Sequence, residues 1–108
     1  MLQANEIQQR FTQVQQTIQE AEQVCQREGD APNEIRDCIQ KMARESRQVQ
    51  DVMRSNDQQR MVEAVDNLES MSDEAKRVSR SLPSIPAELE SAVTRMHAAL
   101  STLKHQLH

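Results

Sequence analysis

The chain has 108 residues and a formal net charge of -4, with one phenylalanine and neither tryptophan nor tyrosine. The acidic charge and the lack of aromatic stacking surfaces exclude a general nucleic-acid binder, and no stretch is apolar enough to span a membrane. The length predicts a single domain over residues 1–108.

The N-terminal segment MLQANEIQQR has no basic flank followed by an apolar run, which a signal peptide would show. We therefore expect a cytoplasmic protein, or a periplasmic one if a leader was removed. Leucine, isoleucine, valine and phenylalanine together make up only about one residue in five, which indicates a thin hydrophobic core. Self-association would thicken such a core, so we expect an oligomer, in the first place a homodimer.

Four stripes of apolar residues, each repeating every three to four positions, predict an all-α fold. The first stripe runs from Ala4 to Cys25, and the last, which is the richest in leucine, runs from Leu89 to Leu107. Helix-forming residues dominate between these limits, and clusters of β-branched residues are absent. The predicted helices cover residues 3–28, 33–54, 57–80 and 86–107.

Turn-forming residues separate the first helix from the second and the third from the last. Gly29 suits the left-handed position just past a helix end, and Pro32 cannot continue a helix. Asn33 can cap the helix that follows. Two prolines in RSLPSIPAE (80–88) enforce the later break.

The connection between the two middle helices allows two architectures. The stripe shifts register across RSNDQQR (54–60), which contains neither glycine nor proline. Ser55 and Gln58 have capping-box spacing, so a tight turn here would give an antiparallel helical bundle of three to four helices with coiled-coil-like packing. A stutter would instead make residues 33–80 one continuous helix, which would have to dimerise to bury its apolar face.

Two cysteines, Cys25 and Cys38, flank the first turn almost symmetrically, so an antiparallel hairpin would place them at similar heights. Reduced thiols in the cytoplasm would act as small apolar residues. A disulfide would contribute roughly 3 kcal/mol for a loop of this size. The pair alone lacks the four ligands of a structural zinc site. A redox- or metal-responsive sensor using these two thiols is the second functional hypothesis.

Motifs for catalysis are missing from the sequence, which has no glycine-rich phosphate loop and no E-x-x-H pair. We therefore expect a protein that is not an enzyme and has no cofactor, and we assign no catalytic residue and no metal ligand. Histidine phosphotransfer domains are helical bundles of similar length, and RMHAALSTLK (95–104) resembles their histidine-bearing helix without the usual following glycine. Phosphotransfer at His97 is accordingly the third hypothesis.

The leading hypothesis is a non-catalytic helical protein–protein interaction module, such as a small adaptor, regulator or chaperone-like protein. Residues 32–56 carry more bases than acids, and they would pair either with the acidic first helix or with an acidic partner. Unbranched thioether side chains repack easily around a partner helix, although filling the core is their alternative role. The candidate partner-binding residues are Met42, Met53, Met61, Met71 and Met96.

Overall fold

A computed structural model describes residues 2–108, in which four α-helices and no strand are present. This confirms the all-α fold, and each helix end lies within one residue of its predicted position. The helices are α1 (Ala4–Arg27), α2 (Asn33–Arg54), α3 (Gln58–Ser81) and α4 (Ala87–Leu107).

The four helices form an antiparallel bundle with extents of 41 × 21 × 16 Å. α1 packs against α2 and α4, and α3 packs against the same two helices, with few contacts between α1 and α3 across the diagonal. Short connections between successive helices produce this up-down-up-down arrangement. None of the four described helices combines the length and the apolarity that crossing a membrane requires.

A single core of buried apolar side chains receives contributions from all four helices. Ile18, Ile39, Leu68 and Leu100 are completely buried, and burial of each such side chain stabilises the fold by about 1.5–3 kcal/mol. One chain completes the four-helix cross-section. Burial of the core therefore does not by itself require the second copy that the thin-core argument predicted.

α2 and α3 are separate helices, so the continuous-helix alternative is wrong. Asn56 takes a left-handed conformation with φ of 59°, which asparagine tolerates better than most residues. Asp57 caps α3, because its carboxylate accepts a hydrogen bond from the backbone N–H of Arg60 at 3.3 Å. The predicted capping box of Ser55 and Gln58 is also wrong, since the Ser55 hydroxyl accepts from the Asp57 backbone N–H instead.

The turn between α1 and α2 differs from its predicted form. Gly29 does not have a positive φ, and Glu28, which directly follows α1, has an extended conformation. Asn33 is the first residue of α2 and does not cap it, because Pro32 occupies the cap position. The guanidinium of Arg36 holds this turn in place by donating to two of its carbonyl oxygens, each at 3.3 Å.

Candidate functional site

Three potential metal ligands from two helices meet on the outer side of the α3–α4 pair. Glu69 and Asp73 are four residues apart on α3, a spacing that places them on one helix face. His97 on α4 has its Nε2 2.5 Å from Asp73 Oδ1 and 3.8 Å from Glu69 Oε2. One ligand atom from each of the three residues lies within 4.8 Å of the other two. We call these residues the Glu–Asp–His cluster.

A lysine fixes the buried member of this cluster. The Glu69 side chain is only 9% exposed, and Lys104 Nζ lies 3.2 Å from its Oε1. This hydrogen bond, together with the charges of Glu69, Asp66 and Asp73, raises the pKa of Lys104. Lys104 therefore remains charged and holds one carboxylate oxygen of Glu69 while the other faces His97.

A second imidazole–carboxylate pair lies further along the same pair of helices. His108 Nε2 is 2.9 Å and 3.0 Å from the two carboxylate oxygens of Asp66. No third ligand of the described chain joins this pair in the way Glu69 joins Asp73 and His97. The two pairs therefore differ in their capacity to hold a metal ion.

The Glu–Asp–His cluster was not predicted from the sequence, because its ligands come from two helices and no single helix shows a metal-binding motif. A usable signal was nevertheless present. Glu69 and Asp73 have face-sharing spacing, and Asp73 and His97 are equidistant from Ile85 in the connection between α3 and α4. In an antiparallel pair of helices, residues equidistant from the turn lie at the same height.

The two cysteines are free thiols with different surroundings. Cys25 is 2% exposed and belongs to the core, whereas Cys38 is half-buried between α2 and α3, beside Met71 and Glu74. Cys38 therefore lines the space between α2 and α3 and not the space between α1 and α2.

Burial raises the pKa of both thiols. For Cys25 the charge of Glu22 adds to this effect, and Arg36 partly offsets it. For Cys38 the charge of Glu74 adds to the effect of burial. Because the thiolate is the form that attacks disulfides and binds metals, both cysteines are held in their less reactive form at neutral pH.

Most of the candidate partner-binding methionines lie in the core. Met71 is the exception, because it is half-buried between α2 and α3. The other four, which are between 0% and 4% exposed, offer no surface to a partner while the bundle is closed. These four are Met42, Met53, Met61 and Met96.

Met71 and Cys38, together with Lys41 and Glu74, line an open cavity of about 270 Å³ between α2 and α3, and half-buried apolar residues continue along both helices. Ala64, Met71 and Val78 are seven residues apart on α3. Cys38 and Val52 are fourteen residues, or two heptads, apart on one flank of α2, with Glu45 at the heptad position between them. We call these five apolar side chains and the space between them the α2–α3 groove. They pack against the core from outside and remain partly open to solvent.

Basic residues of α2 border this groove and are only partly neutralised within the chain. Arg47 pairs with Glu22 of α1 at 3.2 Å, which confirms one contact between the basic segment and the acidic first helix. Lys41 lines the groove and Arg44 is exposed one turn away, and neither forms an ion pair with any residue from 2 to 108. Both can therefore pair with an acidic ligand.

Comparison with known proteins found no match: no family model, no curated protein and no solved structure is significantly similar to the chain.

Proposed function

We propose that the protein is a non-catalytic protein–protein interaction module that binds an amphipathic helix of a partner protein in the α2–α3 groove. The observation that supports this proposal is the row of half-buried apolar side chains along two neighbouring helices. A partner helix with apolar residues at three- and four-residue spacing would cover this row, as in other helix-in-groove complexes.

Met71 and the unpaired bases favour a partner helix that carries acidic residues. The thioether of Met71 lies on the floor of the groove and can adapt to side chains of different shape. Lys41 lines the groove and Arg44 is exposed one turn away, so carboxylates on the partner could pair with them, while Glu74, which also lines the groove, is paired with Arg77. Such exposed pairs contribute little affinity, but they orient the helix and speed its association.

A second copy of this chain is the other possible occupant of the groove, and it would give the homodimer expected from the sequence. We favour a different protein, because one chain already buries a complete core. We expect the protein to act in the cytoplasm as a small adaptor, regulator or chaperone-like protein.

The two alternative functions have less support. The raised pKa values of Cys25 and Cys38 disfavour rapid redox or metal chemistry at the thiols. His97 Nε2 contacts the Asp73 carboxylate, and Glu69 lies close by, so negative charges surround the atom that a phosphoryl group would have to approach. We therefore retain neither as the proposed function.

The test compares the wild-type chain with one variant in the groove and one outside it. Met71→Glu places a charge on the groove floor, whereas Ala98→Glu places the same charge on an exposed position of α4 that faces the α1–α4 side. Partners are captured from the native host and identified, and then the purified partner is titrated against all three chains. Light scattering measures the mass of each chain alone.

We expect the purified partner to bind wild type and Ala98→Glu equally and to bind Met71→Glu at least about tenfold more weakly. An equal affinity for all three chains would refute the groove as the binding surface. A wild-type dimer that Met71→Glu alone converts to a monomer would identify the occupant as a second copy.

A further inference from the structure

We propose that the Glu–Asp–His cluster binds one divalent metal ion of the zinc class through Glu69, Asp73 and His97. This inference is independent of the α2–α3 groove, which lies on another face of the bundle. One imidazole and two carboxylates form a mixed nitrogen and oxygen ligand set, which suits zinc better than the all-oxygen sites of magnesium or calcium.

The positions of the three ligand atoms lie close to those of a metal site. Bonds of about 2.0–2.2 Å to nitrogen and oxygen place neighbouring ligands of a tetrahedral ion about 3.4 Å apart. The two distances from His97 Nε2, 2.5 Å to Asp73 Oδ1 and 3.8 Å to Glu69 Oε2, bracket this separation. An ion would replace the hydrogen bond between His97 and Asp73, and the exposed Asp73 side chain has room to rotate.

The carboxylate of Glu69 is held with one oxygen directed into the cluster. The Glu69 side chain is nine-tenths buried, and Lys104 binds Oε1 but leaves Oε2 directed toward His97 at a distance too long for a hydrogen bond. Oε2 accepts no hydrogen bond from the described residues and keeps some access to solvent, so it is available to a cation. An ion between Glu69 and His97 would satisfy this oxygen.

Lys104 would act on the site without binding the metal. By holding Oε1, it orients the carboxylate of Glu69 so that Oε2 faces the ion, which is the usual role of an outer hydrogen-bond partner. Three protein ligands leave one position of a tetrahedral ion for water.

The test is calorimetric titration of the full chain, freed of metal by chelator, with zinc chloride. His97→Gln removes the imidazole ligand, and Asp73→Asn weakens an exposed carboxylate ligand. His108→Gln is the matched control, because His108 also pairs with an aspartate but lacks the third ligand. A Cys25→Ser, Cys38→Ser double variant separates binding at the cluster from binding at the thiols. Circular dichroism confirms that each variant is folded.

We expect one zinc ion per wild-type chain and a loss of affinity of at least about tenfold in both His97→Gln and Asp73→Asn. The His108→Gln variant and the cysteine double variant should bind as the wild type does. The proposal is overturned if the wild type does not bind zinc, or if the ligand variants retain full affinity. It is equally overturned if only the cysteine double variant loses the ion. Should His97→Gln fail to fold, the exposed position of Asp73 keeps Asp73→Asn as the deciding variant.

Discussion

Lys104 on α4 donates a hydrogen bond across the helix interface to Glu69 on α3, with Nζ 3.2 Å from Oε1. The lysine remains partly exposed, whereas the carboxylate that it holds is nine-tenths buried. Removing the ammonium would leave a buried negative charge without its cation, which is destabilising. The pair therefore links the packing of α3 and α4 to the protonation of one side chain.

This linkage predicts a specific loss of stability in alkaline solution. The pKa of Lys104 is raised in the folded chain, so the stabilisation is fully present below the ordinary lysine pKa of about 10.4 and is lost as the pH rises through the higher folded value. We expect Lys104→Met to be less stable than wild type at neutral pH. The difference between the two chains should shrink at the most alkaline pH. Urea unfolding of both chains from neutral to alkaline pH measures this difference in stability.

The effects of other groups that titrate at alkaline pH cancel in the difference between the two chains, because both retain the same cysteines and the same remaining lysine residues. A difference between wild type and Lys104→Met that stays constant up to the highest pH would show that the hydrogen bond to Glu69 does not stabilise the fold.

The surroundings of the two thiols predict an ordered reaction with a disulfide reagent such as Ellman's reagent. Cys38 is half-buried in the groove and should react slowly in the folded protein, whereas Cys25 is in the core and should react only on unfolding. Because the pKa of each thiol is raised, the rate for Cys38 should increase as the pH rises above the ordinary cysteine value of about 8.5.

A Cys38→Ser chain assigns the faster reaction, since its folded form should not react. We also expect mild oxidation to leave the melting temperature and the intact mass of the monomer unchanged. An intramolecular disulfide that forms readily in the folded protein would contradict the separate positions of Cys25 and Cys38 and would restore the redox hypothesis.

The all-helical fold follows from the sequence because an apolar stripe with a three- to four-residue repeat has one simple way to be buried. Helix ends were predictable where proline blocks continuation, as at Pro32. The details of helix capping were not predictable, because several polar side chains near one turn compete for the same backbone groups. At the second turn Asp57 rather than Ser55 makes the cap.

Candidate sites were harder to predict than the fold. The spacing of the apolar residues does not predict which methionines remain accessible to solvent. The burial of Met71 depends on how far α2 and α3 separate at their outer edge. The Glu–Asp–His cluster depends on the register between α3 and α4. The three ligands can therefore be recognised in the sequence only when α3 and α4 are paired as antiparallel helices about Ile85.

The burial of the methionines predicts that they differ in their effect on stability. Met42→Ala and Met96→Ala should each lower the free energy of unfolding by about 2–5 kcal/mol, because both side chains are completely buried. Met71→Ala should cost less than about 1.5 kcal/mol, since this side chain is already partly in water. Met42→Leu keeps the volume and should cost less than about 1.5 kcal/mol.

Urea unfolding of these four variants measures the losses. Met42→Leu is the control, because it changes the shape of the side chain but keeps its volume. If alanine at all three positions produced the same small loss, the core assignment of Met42 and Met96 would be wrong. An open bundle with these methionines on a partner-facing surface would then be the better description.

The turn between α2 and α3 predicts how substitutions at Asn56 and Asp57 change stability. These changes distinguish two separate helices from one continuous helix. Asn56 has a left-handed backbone, so Asn56→Ala should lower the free energy of unfolding by about 1 kcal/mol and Asn56→Gly should leave it nearly unchanged. Asp57→Ala removes the cap of α3 and should cost about 0.5–2 kcal/mol. Gln59→Ala, at an exposed position of α3, is the control. In a continuous helix the order would reverse, because alanine is the best helix former and glycine one of the worst, so Asn56→Ala would be the more stable chain.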